Sequence, residues 1–205
     1  MKRMKRLAAF LVVIALLCMV AGCGAKEPAY ENLLVTNNTV ESDRFGLKFE
    51  AGEGFTVLFD ELLAFAGNVD PESFLSGDEY TRDGETYALH NLAMVTSYEN
   101  MEYITFQCSA VGDQTAEEAL SAYRVAAGLD DDISDAFVPV TVCGHEGSSF
   151  TVQQYYEDEL TGNSYSFHNV FFVTMQDGWM LMINCSGNDY PQNGIDALKA
   201  QKIIE

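Results

Sequence analysis

Residues 165–185 read YSFHNVFFVTMQDGWMLMINC, and this stretch constrains the fold more than any other. Two apolar runs flank Asp177-Gly178, a pair that tolerates the positive φ angles of a two-residue hairpin. The runs 165–175 and 179–185 are therefore neighbouring antiparallel strands. Phe171 and Phe172 are adjacent, and successive strand residues point to opposite faces. Both faces of this sheet must then be covered.

Working outward, Val138, Val140 and Val142 alternate into a turn at 144–147. Residues 149–157 form the next strand, and a loop around 160–163 leads into the hairpin. After it, Asp189 and Pro191 stand where a helix begins, with Ile195, Leu198 and Ile203 facing inward. A second helix is written at 115–128. Thr115 and Glu118 form a capping box, Ala119, Leu120 and Tyr123 recur at helical spacing, and Gly128 ends it. Earlier still, Phe45, Leu47 and Phe49 alternate as a strand, 61–66 is a short helix, and Asp83-Gly84 marks another hairpin. In 103–111, Ile104, Phe106, Cys108 and Ala110 share one face, while Thr105, Gln107 and Ser109 share the other. Helices are few and hairpins separate them. The pattern predicts an α+β domain, an antiparallel β-sheet flanked by helices.

The N-terminus carries an address. Lys2, Arg3, Lys5 and Arg6 precede an uncharged apolar run over 7–20, which is shorter than a membrane span. The run closes on Val20-Ala21-Gly22-Cys23, which resembles the bacterial lipobox. That resemblance implies cleavage after Gly22 and diacylglycerol on the Cys23 thiol, two acyl chains being enough for stable anchoring. Residues 1–22 are then a signal peptide, 23–42 a polar tether, and 43–205 one globular domain at the extracytoplasmic face of the cell membrane. The leader holds four of the eleven bases and none of the 31 acids, so seven bases face 31 acids in the mature chain, a net charge of −24. Such a surface repels nucleic acid and anionic headgroups.

The order of elements from Asp43 onward resembles the PsbP-like fold. Phe45-Gly46-Leu47-Lys48-Phe49 with Gly54-Phe55 is similar to that family's opening hairpin, and 115–128 to its middle helix. Gly144 to Phe150 is similar to a glycine–aromatic hairpin, with Phe150 further from the glycine than the family pattern has it. Asp177-Gly178-Trp179 and the closing helix are similar to its last elements. The resemblance implies an α/β/α sandwich and an accessory or binding role. It brings no catalytic motif and no cofactor.

The chemistry-bearing residues give no catalytic constellation. His90, His145 and His168 lack any helical metal-ligand spacing. His145-Glu146 reads as a solvated turn, and an imidazole pair of His90 with His168 across strands is the one transition-metal arrangement open to them. Ser148 and Ser149 follow a glycine without the strand–turn–helix of a nucleophile elbow. Cys108, Cys143 and Cys185 are widely spaced, with no C-x-x-C, and read as buried unpaired thiols.

Asp130, Asp132 and Asp135 form the best cation candidate, although an EF-hand register fails at Asp135 and at Thr141, where glycine and glutamate are required. Tyr155, Tyr156, Tyr165, Phe167, Phe171, Phe172 and Trp179 crowd the last strands, as core or as an exposed binding surface. The leading expectation is a non-enzymatic, cofactor-free lipoprotein. It is anchored in the membrane by diacylglycerol and partnered with an envelope or exported protein, not nucleic acid. A solute- or Ca/Zn-binding lipoprotein is the alternative, and an envelope hydrolase stands last.

Overall fold

A computed structural model describes residues 33–58, 79–82, 85–115, 118–121, 137–157 and 164–205. Twelve strands order them: β1 (Leu33–Val35), β2 (Thr39–Ser42), β3 (Leu47–Glu50), β4 (Thr56–Leu58), β5 (Glu79–Arg82), β6 (Glu85–His90), β7 (Leu92–Ser97), β8 (Glu102–Ala110), β9 (Val138–Val142), β10 (His145–Glu157), β11 (Ser164–Gln176) and β12 (Trp179–Gly187). They form a five-stranded sheet, β3-β2-β1-β6-β5, and a seven-stranded sheet, β4-β7-β8-β12-β11-β10-β9. Every pairing is antiparallel. A helix at Gln192–Ala200 closes the chain, and 118–121 is helical.

The expected α+β sandwich, one sheet flanked by helices as in the PsbP-like fold, is therefore not what the chain forms. The protein is β-rich, and one face of its large sheet is covered chiefly by a second sheet. Leu33, Val35, Val40, Leu47 and Phe49 meet Val95, Ile104, Phe106, Leu181 and Ile183 in one core cluster. The Phe49 and Phe106 rings stand 5.3 Å apart across it. Ile195 and Leu198 of the C-terminal helix join the same cluster.

Residues 33–42, expected as part of the tether, supply two strands of that second sheet. Their polar cluster is a hairpin loop. Thr36 N–H donates to the Thr39 carbonyl at 2.9 Å, and Thr36 Oγ1 accepts from the Thr39 and Asn38 amides at 2.9 and 3.2 Å. The loop joins β1 to β2 with Val35 opposite Val40, and Leu33, Leu34 and Val35 are buried. Strand structure is thus present ten residues before Asp43.

Other local rules are met. Asp177 and Gly178 have φ of 47° and 78°, and Cys143 and Gly144 have 53° and 81°, as type I′ hairpins require. The second of these moves the expected turn: it sits at 143–144, and His145 begins β10 opposite Val142. The capping box forms, with Thr115 N–H donating to Glu118 Oε2 at 2.8 Å and Glu118 N–H to Thr115 Oγ1 at 3.2 Å. Those bonds favour the carboxylate and lower the Glu118 pKa. Arg82 lies opposite Glu85, so the strands flanking Asp83-Gly84 pair as expected. At Asn91 the chain leaves the small sheet and enters the large one.

The edge at β9 is guarded. Thr141 exchanges two 3.0 Å backbone bonds with Glu205, and Cys143 N–H donates to Ile203 at 2.7 Å. Pro139 lies on the same outward register and has no N–H to offer a further strand. Among the described residues, no helix is long and apolar enough to cross a membrane.

Candidate functional site

Cys23 and the acidic residues Asp130, Asp132 and Asp135 lie outside the described residues, as do the expected helix at 61–66 and the loop at 160–163. Among the described residues, no group of three His, Cys, Asp or Glu is placed to hold a metal ion. His90 belongs to β6 of the small sheet and His168 to β11 of the large one. They are not cross-strand partners: His90 lies opposite Leu33, and His168 lies opposite Gln153 and Gly187.

The other two histidines are each held by a glutamine from the neighbouring strand. Gln176 Nε2 lies 2.6 Å from His145 Nδ1, and Gln153 Nε2 lies 3.2 Å from His168 Nε2. Each contact fixes the orientation of its ring, with donor and acceptor following from the imidazole tautomer. Among the described residues, no carboxylate is hydrogen-bonded to either ring, the arrangement a general base uses for its second nitrogen.

His145 sits over a notch of about 390 Å³ lined by Leu120 of the helical turn, Glu146 and Ser148 of β10, and Met175 and Gln176 of β11. Glu146 and Ser148 alternate with His145 along the strand and project to the opposite face. The strand therefore sets the imidazole on one face and the carboxylate and hydroxyl on the other, which aligns no nucleophile with a base. The notch is a polar recess, not a triad.

Cys108, Cys143 and Cys185 form no disulfide and are free thiols. Burial pushes the Cys143 thiol up to about 12. Burial, then the nearby Glu102 charge, pushes Cys185 up as well. A thiol held protonated is a poor nucleophile. Cys143 differs from expectation in standing in a hairpin turn rather than a strand.

One buried carboxylate looks like a site and has another task. Glu102, at the start of β8, accepts Gly194 N–H at 2.8 Å, Asn193 Nδ2 at 2.8 Å and Asn193 N–H at 3.5 Å. The C-terminal helix has no side-chain cap of its own and no acid in its first turn. Glu102 satisfies two orphan donors there and faces the positive end of the helix dipole. Gly194 is what lets the helix come this close. A Cβ at that position meets Ile104 Cγ1 at 3.3 Å, Cys185 Sγ at 3.5 Å and Glu102 Oε2 at 3.5 Å.

The aromatic surface is also relocated. Phe171 and Phe172 are core residues, and Trp179 is half-buried beneath the Arg44 guanidinium, 5.2 Å from its ring centroid. The side chains of Tyr155, Tyr156 and Tyr165 fall outside the described residues. The exposed large apolar side chains are instead Tyr98, Met101, Phe137, Val138 and Tyr190. Three of these gather at one end of the large sheet, in the β7–β8 loop and the segment after β12. A signal for them was present: Met101 stands in a hairpin loop, where a polar residue or glycine is the ordinary choice.

No family model, no curated protein and no solved structure matches this chain. The PsbP-like resemblance rests on the motifs quoted above.

Proposed function

We propose that the chain is a lipid-anchored extracytoplasmic binding domain, an accessory to a protein at its own membrane rather than an enzyme. The observation that carries this reading is Val20-Ala21-Gly22-Cys23 behind a basic head and an apolar run.

The position of β1 sharpens the proposal. Leu33 is fully buried and stands ten residues after Cys23. Ten residues span at most about 35 Å in any conformation. A domain on so short a leash stays beside the bilayer that holds it. Partners at that same surface meet it at the roughly millimolar effective concentration that a short tether provides. A net charge of −24 opposes adsorption onto anionic headgroups, so the bound surface is a protein's.

The test is acylation itself. Labelled palmitate fed to cells making the full chain should enter the protein, and Cys23→Ser should abolish the label and release the protein from the membrane fraction. Retention of that variant in the membrane defeats the proposal.

A further inference from the structure

The large sheet ends in an apolar and acidic patch. Ser97 pairs with Glu102, and Glu102 pairs with Gly187. The ladder thus places the loop 98–101 and the segment 188–190 at the same end. The two backbones are close: a Cβ on Gly187 lies 3.1 Å from the Asp189 carbonyl oxygen and 3.6 Å from that of Met101. Tyr98, Met101 and Tyr190 are 65%, 50% and 51% exposed.

Two features argue that these side chains are there for a partner. Met101 has φ of 53°, the left-handed region that glycine and asparagine enter most easily. A flexible apolar side chain, half exposed, thus occupies a turn position that polar residues and glycine ordinarily take. Such violations concentrate at functional surfaces.

The second feature is charge. Glu99 and Asp189 are exposed between the apolar groups, and neither 97–103 nor 187–193 contains a lysine or arginine. The first base after Gly187 is Lys199, in the last turn of the helix. Tyrosine rings beside exposed carboxylates suit a cation that stacks on the ring and bonds to the acid.

We infer that this end of the sheet docks a basic, arginine- or lysine-bearing surface of a membrane-held protein. The inference rests on the lipid-anchored binding reading and names the surface that does the binding. A second copy of the chain is disfavoured, because a two-fold contact sets Glu99 and Asp189 against their own equivalents. A bilayer is disfavoured because interfacial anchoring to anionic lipid uses lysine and arginine, which the patch lacks.

The experiment places p-benzoylphenylalanine at Tyr98 and, separately, at Tyr190 of the full-length chain, with exposed Glu53 as the control position, and irradiates cells producing each. Both patch positions should yield an adduct with a membrane-held protein, absent from position 53, whose cross-linked peptide carries Arg or Lys. Glu99→Lys together with Asp189→Lys should reduce that adduct at least tenfold. An adduct no stronger than the control, one insensitive to charge reversal, one formed with lipid, or one formed with a second copy overturns the inference. Parallel labelling with palmitate keeps the two readings apart. Label without a patch adduct leaves the anchor standing and the docking surface refuted, whereas a charge-sensitive adduct without label does the reverse.

Discussion

The two faces of the seven-stranded sheet are built on different principles. One presents Ile104, Phe106, Cys108, Val170, Phe172, Leu181, Ile183 and Cys185, all buried and apolar, to the small sheet and the C-terminal helix. The other carries Phe150, Phe171, Val173, Met180 and Met182 but interleaves them with buried Thr96, Gln107, Ser109, Asn169, Asn184 and Ser186. The first face gains its stability from area removed from water. The second must satisfy polar groups it has desolvated, through such bonds as Asn184 Nδ2 to Asn169 Oδ1 at 3.2 Å and Gln107 Nε2 to Ser109 Oγ at 3.3 Å. Stability is thereby concentrated on one side, and the other has less apolar area to lose.

The sharpest way to break that contrast is Phe106→Ala. Phe106 is fully buried and packs against Phe49 across the two sheets, so truncation leaves a cavity that neither sheet can close. We expect a loss of about 3–5 kcal/mol in urea unfolding. Met182→Ala on the opposite face removes a flexible side chain from mixed surroundings and should cost less, about 2 kcal/mol. Equal losses would show that the polar interleaving has no energetic consequence.

The same contrast explains which parts of the structure could be read from sequence. Asp177-Gly178, the Thr115–Glu118 box and the inward set Ile195, Leu198 and Ile203 each act within a few residues, and each formed as written. The segment 33–42 was illegible because its strands have three and four residues. Its stability comes from partners far along the chain, as in Leu33 opposite His90. The alternation in β8 told which residues share a face, but not that the polar face, with Gln107 and Ser109, is buried too. For the candidate site, Cys23 was legible as a motif, whereas the Tyr98–Met101–Tyr190 patch required the ladder that joins Ser97, Glu102 and Gly187.

Glu102 is a buried charge at the margin of the apolar face, and it ties the helix to the sheet. Glu102→Ala removes a carboxylate that accepts from Asn193 and Gly194, leaving buried helix-end donors without a partner. A cost of about 2–3 kcal/mol is expected. Glu102→Gln keeps one acceptor oxygen and should recover roughly half of it. Amide exchange over 192–200 should accelerate in both, and unchanged exchange there would show that the helix is held by Ile195 and Leu198 alone.

The smallest effect, and the most diagnostic of the polar face, concerns Asn169 and Asn184. Asn184 Oδ1 is buried with no hydrogen-bond partner, while its amide nitrogen serves Asn169. Asn184→Leu therefore relieves one unsatisfied acceptor and creates another on Asn169, and the two changes nearly offset, for a net loss of about 1 kcal/mol or less. Changing both residues to leucine removes the bond and both desolvated amides together. The double variant should be at least as stable as the parent, because apolar replacement of both partners in a buried pair is close to neutral. A double-mutant cycle measures this directly. A double variant destabilised by more than the sum of its parts would mean that the asparagines answer to a wider polar network across that face, whose strength pairwise distances understate.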